Sequence, residues 1–286
     1  MKKSILLIIK GFVMGIANII PGVSGGTLAI ILGIYEQFIS SISHFFKNIR
    51  ENIKFLLPIL IGIVLSIISM SNVIDYSYNN YPIPTTLFFV GLVLGGIPLL
   101  YGKVKGKKDS SLLSNIIIFL ITFSLVIFMA FADKIFNTGS ISFSNMSVFS
   151  YILLFIVGVI TSATMVIPGV SGSLVLMLLG YYYPIIKLIK NLSKFQNLST
   201  NLPILIVFGL GVLLGIILIS KLIEYLFKKH QTKTYYGVLG FIFASIAAIP
   251  ISTVKEVSLS FNIIHILIGV VMLVIGIITS YKLGEK

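Results

Sequence analysis

Cysteine is absent from the 286-residue chain. That excludes disulfides, thiolate metal sites and a cysteine nucleophile. Histidine is almost absent: His44, His230 and His265 lie far apart in sequence, which leaves no histidine-built centre, so neither a metal nor a cofactor is expected. Arginine occurs once, at Arg50, and without clustered histidines this argues against a membrane phosphatase. Charge of either sign is scarce, at 10% of residues, where a soluble domain carries about 25%.

What fills the space is apolar: 57% of residues are hydrophobic and the mean hydropathy is +1.10. No water-soluble single domain hides this much apolar surface. The chain is read as an integral membrane protein whose backbone satisfies its own hydrogen bonds in lipid. Its apolar stretches are long and continuous, which argues for helices and against a β-barrel. The 21 basic against 8 acidic residues give a net charge of +13, but the basic residues sit in short tracts between apolar runs. That is how cytoplasmic loops look, so nucleic acid is not an expected partner. The start, Met1-Lys2-Lys3 followed by Ser4 to Ile9, opens like a signal peptide. Lys10 then interrupts it and no small-x-small cleavage site follows, so the segment is read as retained.

The sequence repeats itself. Ile20-Pro21-Gly22-Val23-Ser24-Gly25 recurs 147 residues later as Ile167-Pro168-Gly169-Val170-Ser171-Gly172. At the same offset Gly11 meets Gly158, Gly15 meets Ser162, Gly33 meets Gly180 and Tyr35 meets Tyr182. Further on, Leu57-Pro58-Ile59-Leu60 echoes Leu202-Pro203-Ile204-Leu205, and Gly91 aligns with Gly240. Two halves, about 1–140 and 141–286, therefore make up a single membrane domain over 1–286.

Each half holds a pair of apolar segments around the Pro-Gly-Val-Ser motif, then three more. The pairs cover 4–20 with 24–42, and 148–167 with 172–190. The others run over 55–74, 85–101 and 111–132, then 202–222, 234–251 and 261–281, near the ~20 residues a span needs. The uncharged junctions of the paired segments suggest re-entrant hairpins with buried tips; two short full spans joined by a tight turn are the alternative. With a cytoplasmic N-terminus, fifteen of the 21 basic residues fall inside and five outside, Lys10 unassigned, which agrees with the positive-inside rule. Both termini are then cytoplasmic. Three spans per half is odd, so the second half enters from the opposite face. The expected fold is an all-α membrane protein of two inverted repeats, each a re-entrant helical hairpin plus three transmembrane helices, an architecture used by transporters.

The motif has a chemistry. At the tips, glycines let the backbone come close, and the unpaired N–H groups of a starting helix favour an anion, phosphate above all. The candidate site is Gly22, Ser24, Gly25, Gly26 and Thr27 on one tip with Gly169, Ser171, Gly172 and Ser173 on the other. The serines equally suit plain helix capping. Asn18 and Thr164 precede the tips and are candidates to line the same cavity. Lys10 is a candidate partner for an anionic head, or snorkels to the interface; Glu36 either carries a coupling proton or ends a helix near water. His265, alone in the last apolar segment, reads as packed. Gly11-x-x-x-Gly15, Gly91-x-x-x-Gly95 and Gly211-x-x-x-Gly215 fit close helix packing.

Gly22-Val23-Ser24-Gly25-Gly26 also satisfies the G-x-S-x-G nucleophile pattern, which with His265 would make an intramembrane serine hydrolase. The motif is doubled, however, while the first-half counterpart of His265 is Ile118, and the segment before Ser24 reads as helix where the elbow needs a strand. No enzyme is expected and no catalytic residue is assigned.

The stretches Ile20 to Thr27 with Leu32-Gly33-Ile34-Tyr35-Glu36, and Ile167 to Ser173 with Leu179-Gly180-Tyr181-Tyr182, resemble the doubled motif of the DUF368 family, over nearly the whole chain. That family includes bacterial polyprenyl-phosphate transporters. The resemblance implies translocation of undecaprenyl phosphate across the cytoplasmic membrane, from outer to inner leaflet, for reuse in cell-wall and surface-polymer synthesis. The partner is then a membrane lipid, its phosphate held between Ser24 and Ser171 while one half rocks against the other. A second copy of the chain is a further candidate partner. A secondary transporter for a small water-soluble anion would use the same site but needs a closed aqueous path where a lipid needs a lateral opening. A non-transporting scaffold explains the helices but not the doubled motif.

Overall fold

The structure, a computed structural model, describes residues 2–19, 24–104, 111–132, 143, 146–193, 197–256 and 263–284. Among these residues there are twelve α-helices and no strand. They are α1 (Lys2–Ile19), α2 (Gly25–Ile31), α3 (Tyr35–Ser43), α4 (Ile49–Asn80), α5 (Pro82–Val104) and α6 (Leu112–Ala132), then α7 (Val148–Val166), α8 (Gly172–Leu178), α9 (Tyr182–Ser193), α10 (Leu198–Lys229), α11 (Gln231–Glu256) and α12 (Ile263–Gly284). Seven are long and apolar enough to cross a membrane: α4, α5, α6, α7, α10, α11 and α12. The chain is an all-helical, multi-pass membrane protein.

The order of lengths is the same in α1–α6 and α7–α12. The fourth helix of each run has 32 residues, about 48 Å at 1.5 Å per residue. That exceeds the ~30 Å hydrocarbon core, so the expected segments 55–74 and 202–222 are the middles of longer rods.

The stretches expected as single arms over 24–42 and 172–190 are each broken in two, and the cause is local. Gly33 and Gly180 have φ of +68° and +78°, the left-handed conformation that glycine adopts without strain. Around Gly33, its N–H donates to Ile30 O at 2.9 Å and that of Ile34 to Ala29 O at 3.0 Å; around Gly180, the N–H of Gly180 donates to Met177 O at 2.8 Å and that of Tyr181 to Leu176 O at 3.0 Å. Both are Schellman endings. They stop α2 and α8 after seven residues each.

The long helices pack in pairs: α1 on α4, α7 on α10, α5 on α12 and α6 on α11. Lipid tails are as apolar as leucine, so helices in a bilayer gain most where small residues let backbones approach. A Cβ on Gly11 would collide with the Ile59 carbonyl, and one on Gly62 with that of Ile8; on Gly158 and Gly211 the obstacles are Phe208 and Phe155. Gly91 lies against Leu273, Gly276 against Phe88 and Gly240 against Phe119. The glycine spacings read from the sequence are indeed packing faces.

These contacts also correct a register. Ile59, Gly62 and Ser66 on α4 play the parts of Phe208, Gly211 and Gly215 on α10, an offset of 149. The Leu57-Pro58 and Leu202-Pro203 match, at 145, is thus four residues out of register. A slip of about one turn keeps the same helix face and so leaves the hydrophobic pattern unchanged. The spans α5 and α11 lie at the centre, more than half buried. The outer faces of α4, α10 and α12 expose Leu57, Ile68, Leu213, Leu218, Leu267 and Val271. One packing lacks a match: α3 also rests on α10, while α9 has no comparable packing on α4 among the described residues.

Candidate functional site

The segment between α7 and α8 is a tight turn, with Gly169 at φ +78°. Its backbone is met by the other motif. The Gly169 N–H donates to Thr27 Oγ1 at 2.7 Å, and Thr27 is fully buried. Ser24 Oγ donates to Ile167 O at 3.5 Å, and Tyr35 OH to Val166 O at 3.1 Å. A Cβ on Gly26 would come within 2.8 Å of Val166 O, so the backbones touch there. From α11, Ser245 Oγ donates to Gly169 O at 3.3 Å. Two segments about 140 residues apart in sequence are in direct polar contact.

Ser24 holds the N-cap position of α2 yet makes no side-chain capping bond. Capping falls to Asn18, whose Oδ1 accepts from the Gly25 N–H at 3.0 Å. The Ser24 hydroxyl is thereby directed across to the second motif. Ser171 is buried and bonds Ser173 Oγ at 2.8 Å. Gly172 begins α8, and Thr164 donates to Thr161 O within α7 at 2.7 Å. Gly22 lies outside the described residues.

Lys10 is only 5% exposed, so it does not snorkel; its Nζ donates to Leu32 O at 2.7 Å. Leu32 closes α2, and a cation at a helix C-terminus meets the negative end of the dipole. Lys10 therefore ties α1 to the end of α2. Glu36 is also placed away from the motif junction. It accepts from Tyr235 OH on α11, stands 3.6 Å from Lys103 Nζ on α5, and lines a cavity of about 200 Å³ with Tyr35 and Phe227.

Sequence reasoning missed Glu224. Set in the α10 rod, its carboxylate takes Lys228 Nζ at 2.7 Å, Ser40 Oγ of α3 at 3.5 Å and, from the residue that follows α3, His44 Nδ1 at 3.2 Å. The signal was its scarcity: one of 8 acidic residues, set between Lys221 and Lys228 just past the apolar run 202–222. Also missed was a groove of about 290 Å³ between α6, α10 and α11, bordered by Ile167 and Pro168 of the second motif. Among the described residues no group of acidic or histidine side chains is placed to hold a metal.

Long apolar helices joined through small residues around two apposed Gly-Ser segments define a polytopic membrane protein with a polar junction in its interior. The chain belongs to the undecaprenyl phosphate translocase-like family, whose model matches residues 14–264. It is 35% identical over 284 residues to a polyprenyl-phosphate transporter of Staphylococcus aureus (strain NCTC 8325 / PS 47), covering 97% of this chain and 95% of the relative. It is 28% identical over 256 residues to a polyprenyl-phosphate transporter of Vibrio cholerae serotype O1, covering 84% of this chain and 76% of the relative. The family resemblance read from the doubled motif is borne out, and both relatives are named as transporters, in agreement with a non-enzyme. No solved structure matches the chain.

Proposed function

We propose that this protein moves undecaprenyl phosphate across the cytoplasmic membrane, from outer to inner leaflet, with the phosphate head held where the two motif segments meet. The observation that carries the site is the apposition of Thr27 and Ser24 with Gly169 and Ile167. The substrate class is supported by the names of the two relatives. In this reading the halves are inverted repeats, and each motif is the tip of a re-entrant hairpin. Supporting it are the shared order of helix lengths, the matching of α1 on α4 with α7 on α10, and of α5 on α12 with α11 on α6. Both termini face the cytoplasm, supported by the bias of the basic residues.

Transport is by alternating access. A polyprenyl phosphate keeps its chain in lipid while its head crosses, so the phosphate must exchange hydration for fixed donors. Ser24, Thr27, Ser171 and Ser173 with the motif glycines supply them, and the Ser24 hydroxyl, free of capping duty, is the first of these. Lys10 acts by holding α2 in place. A lateral apolar groove reaching the second motif favours a lipid over a water-soluble anion.

The test is leaflet accessibility of a polyprenyl phosphate in proteoliposomes of the purified protein against protein-free vesicles. Accelerated exchange, lost in the Ser24→Ala/Ser171→Ala double variant, is the expected result. Exchange no faster than in protein-free vesicles, with and without a proton gradient, would remove the lipid reading. Wild-type exchange in the double variant would reduce the serines to structural roles.

A further inference from the structure

We infer that the groove between α6, α10 and α11 is the docking site for a single-chain isoprenoid phosphate in the leaflet on the Lys233 side, its chain lying along the groove and its phosphate on Lys233. This rests on the polyprenyl-phosphate reading and adds to it a place of entry or release distinct from the motif junction.

The walls are apolar. Ile118 of α6, Ile219, Leu222 and Leu226 of α10, and Phe241 of α11 face the space. The Thr122 hydroxyl is engaged within α6, its Oγ1 donating to Ile118 O and Phe119 O at 3.0 Å each; toward α11 it turns its methyl group to Gly237 and its Oγ1 to Gly240. The inner end is Ile167 and Pro168, and Ile167 O is the atom that accepts from Ser24. The groove therefore runs from its mouth to the motif junction. Tyr35 stands between it and the cavity holding Glu36, lining both.

The mouth is cationic and, among the described residues, lacks a counter-ion. Lys233 is half-buried in the first turn of α11 beside His230. Lys228 pairs with Glu224 and Lys103 with Glu36, but Lys233 makes no ion pair among the described residues. Both of those carboxylates are engaged at the contacts of α3 instead. A half-buried ammonium over an apolar trough, at the positive end of a helix, is the complement of an anionic head on a hydrocarbon chain.

One glycine keeps the trough open. Gly237 lies one turn in from Lys233, and a Cβ there would meet only the Ile118 Cγ2 at 3.3 Å and the Thr122 Cγ2 at 3.6 Å. Gly240 differs, since its Cβ would strike the Phe119 carbonyl and part α6 from α11. Gly240 serves helix packing against backbone, whereas Gly237 meets α6 only through side-chain methyls and lines the groove.

The experiment uses the full chain in phosphatidylglycerol–phosphatidylethanolamine nanodiscs with three photoreactive diazirine probes: a polyprenyl phosphate, the matching polyprenol and a diacyl phosphatidic acid. Labelled peptides are mapped by mass spectrometry. The expected result is polyprenyl-phosphate label on α6 and α11 around Ile118, Gly237 and Phe241. Lys233→Ala should lower it at least tenfold, as expected when a charge-assisted contact is removed, and leave polyprenol labelling unchanged. Gly237→Leu fills the trough and should lower both, while Gly237→Ala retains both. Label spread evenly over the lipid-facing helices, equal label from the phosphatidic acid, or wild-type labelling in Lys233→Ala and Gly237→Leu would each overturn the assignment. Leaflet exchange measured alongside separates the two readings. Wild-type exchange with unchanged label in the groove variants sinks the groove alone, whereas a wild-type protein that accelerates nothing sinks the transporter.

Discussion

The bond from the Gly169 N–H to Thr27 Oγ1 joins the two motifs at 2.7 Å in a place where Thr27 is fully buried. Thr27→Val keeps the side-chain outline and removes the acceptor, leaving the Gly169 amide buried and unpaired. An orphaned buried donor costs about 1–3 kcal/mol, which corresponds to a change of about 5–150-fold in an opening equilibrium. Amide exchange reads that equilibrium directly. Exchange of Gly169, followed by mass spectrometry on overlapping peptides across 166–172, should accelerate by that factor in Thr27→Val. Thr27→Ser, which keeps the hydroxyl, should stay within about threefold of wild type, and peptides from α12 should not change in either variant. Equal Gly169 protection in wild type and Thr27→Val would refute the reasoning. So would equal acceleration in the serine and valine variants, because serine keeps the hydroxyl and the effect could then not be the loss of the acceptor.

Other expectations follow from packing. Gly62→Ala drives a Cβ into the Ile8 carbonyl and should cost about 1–3 kcal/mol as overpacking, seen as a lower unfolding midpoint in detergent; Gly237→Ala, whose Cβ meets only side-chain methyls, should lower the midpoint less. The first half sets Gly15 on Ser66 and the second sets Ser162 on Gly215, the same small pair with its members exchanged. Gly15→Ser should therefore destabilise, and adding Ser66→Gly should recover part of the loss in the same unfolding assay. Lys10→Met strips Leu32 O of its donor and should cost about 1–3 kcal/mol; faster amide exchange across α2, with α12 unchanged, is the check.

Much of this architecture was legible because it is periodic. Apolar runs of span length and an exact motif copy survive any uncertainty about geometry, and small residues at four-residue spacing mark close packing wherever they occur. What was hidden depends on side chains meeting across the fold. The sequence places Lys10 and Glu36 near the motif but cannot say that Lys10 ends on the Leu32 carbonyl or that Glu36 turns to Tyr235 and Lys103. Ser24 looked equally suited to capping and to binding; only the Asn18 bond to Gly25 frees it from the first. The break at Gly33 was visible as a glycine inside an apolar arm, yet its reading as a helix end needs the φ of +68°. The groove could not be found from sequence, because its walls come from three helices and its defining feature at Gly237 is a side chain that is not there.

The unmatched packing of α3 on α10 bears on alternating access. Glu224 gathers Ser40 of α3 and His44 just past its end, so the two halves are tied to each other here. By the offsets of 147 for α9 and 149 for α10, the counterparts of Ser40 and Glu224 are Lys187 and Asp75. Both are exposed, Lys187 has no ion pair among the described residues, and Asp75 accepts only from Asn79 on its own helix, at 3.1 Å. If the halves exchange roles, α9 docks on α4 and Lys187 comes to Asp75 as the tie of the opposite state, while Glu224 releases α3. The absence of cysteine makes this directly measurable, since two introduced thiols are the only ones in the chain. Ser40→Cys/Glu224→Cys and Lys187→Cys/Asp75→Cys should each be joined by a short bis-maleimide during turnover, and each crosslink should abolish leaflet exchange that returns when a cleavable linker is cut. In a variant carrying all four cysteines, holding the first pair shut should also suppress crosslinking of the second by at least tenfold. Independent formation of both crosslinks in one molecule would show that the two ends do not alternate, and the rocking of one half against the other would have to be abandoned even if the lipid is moved.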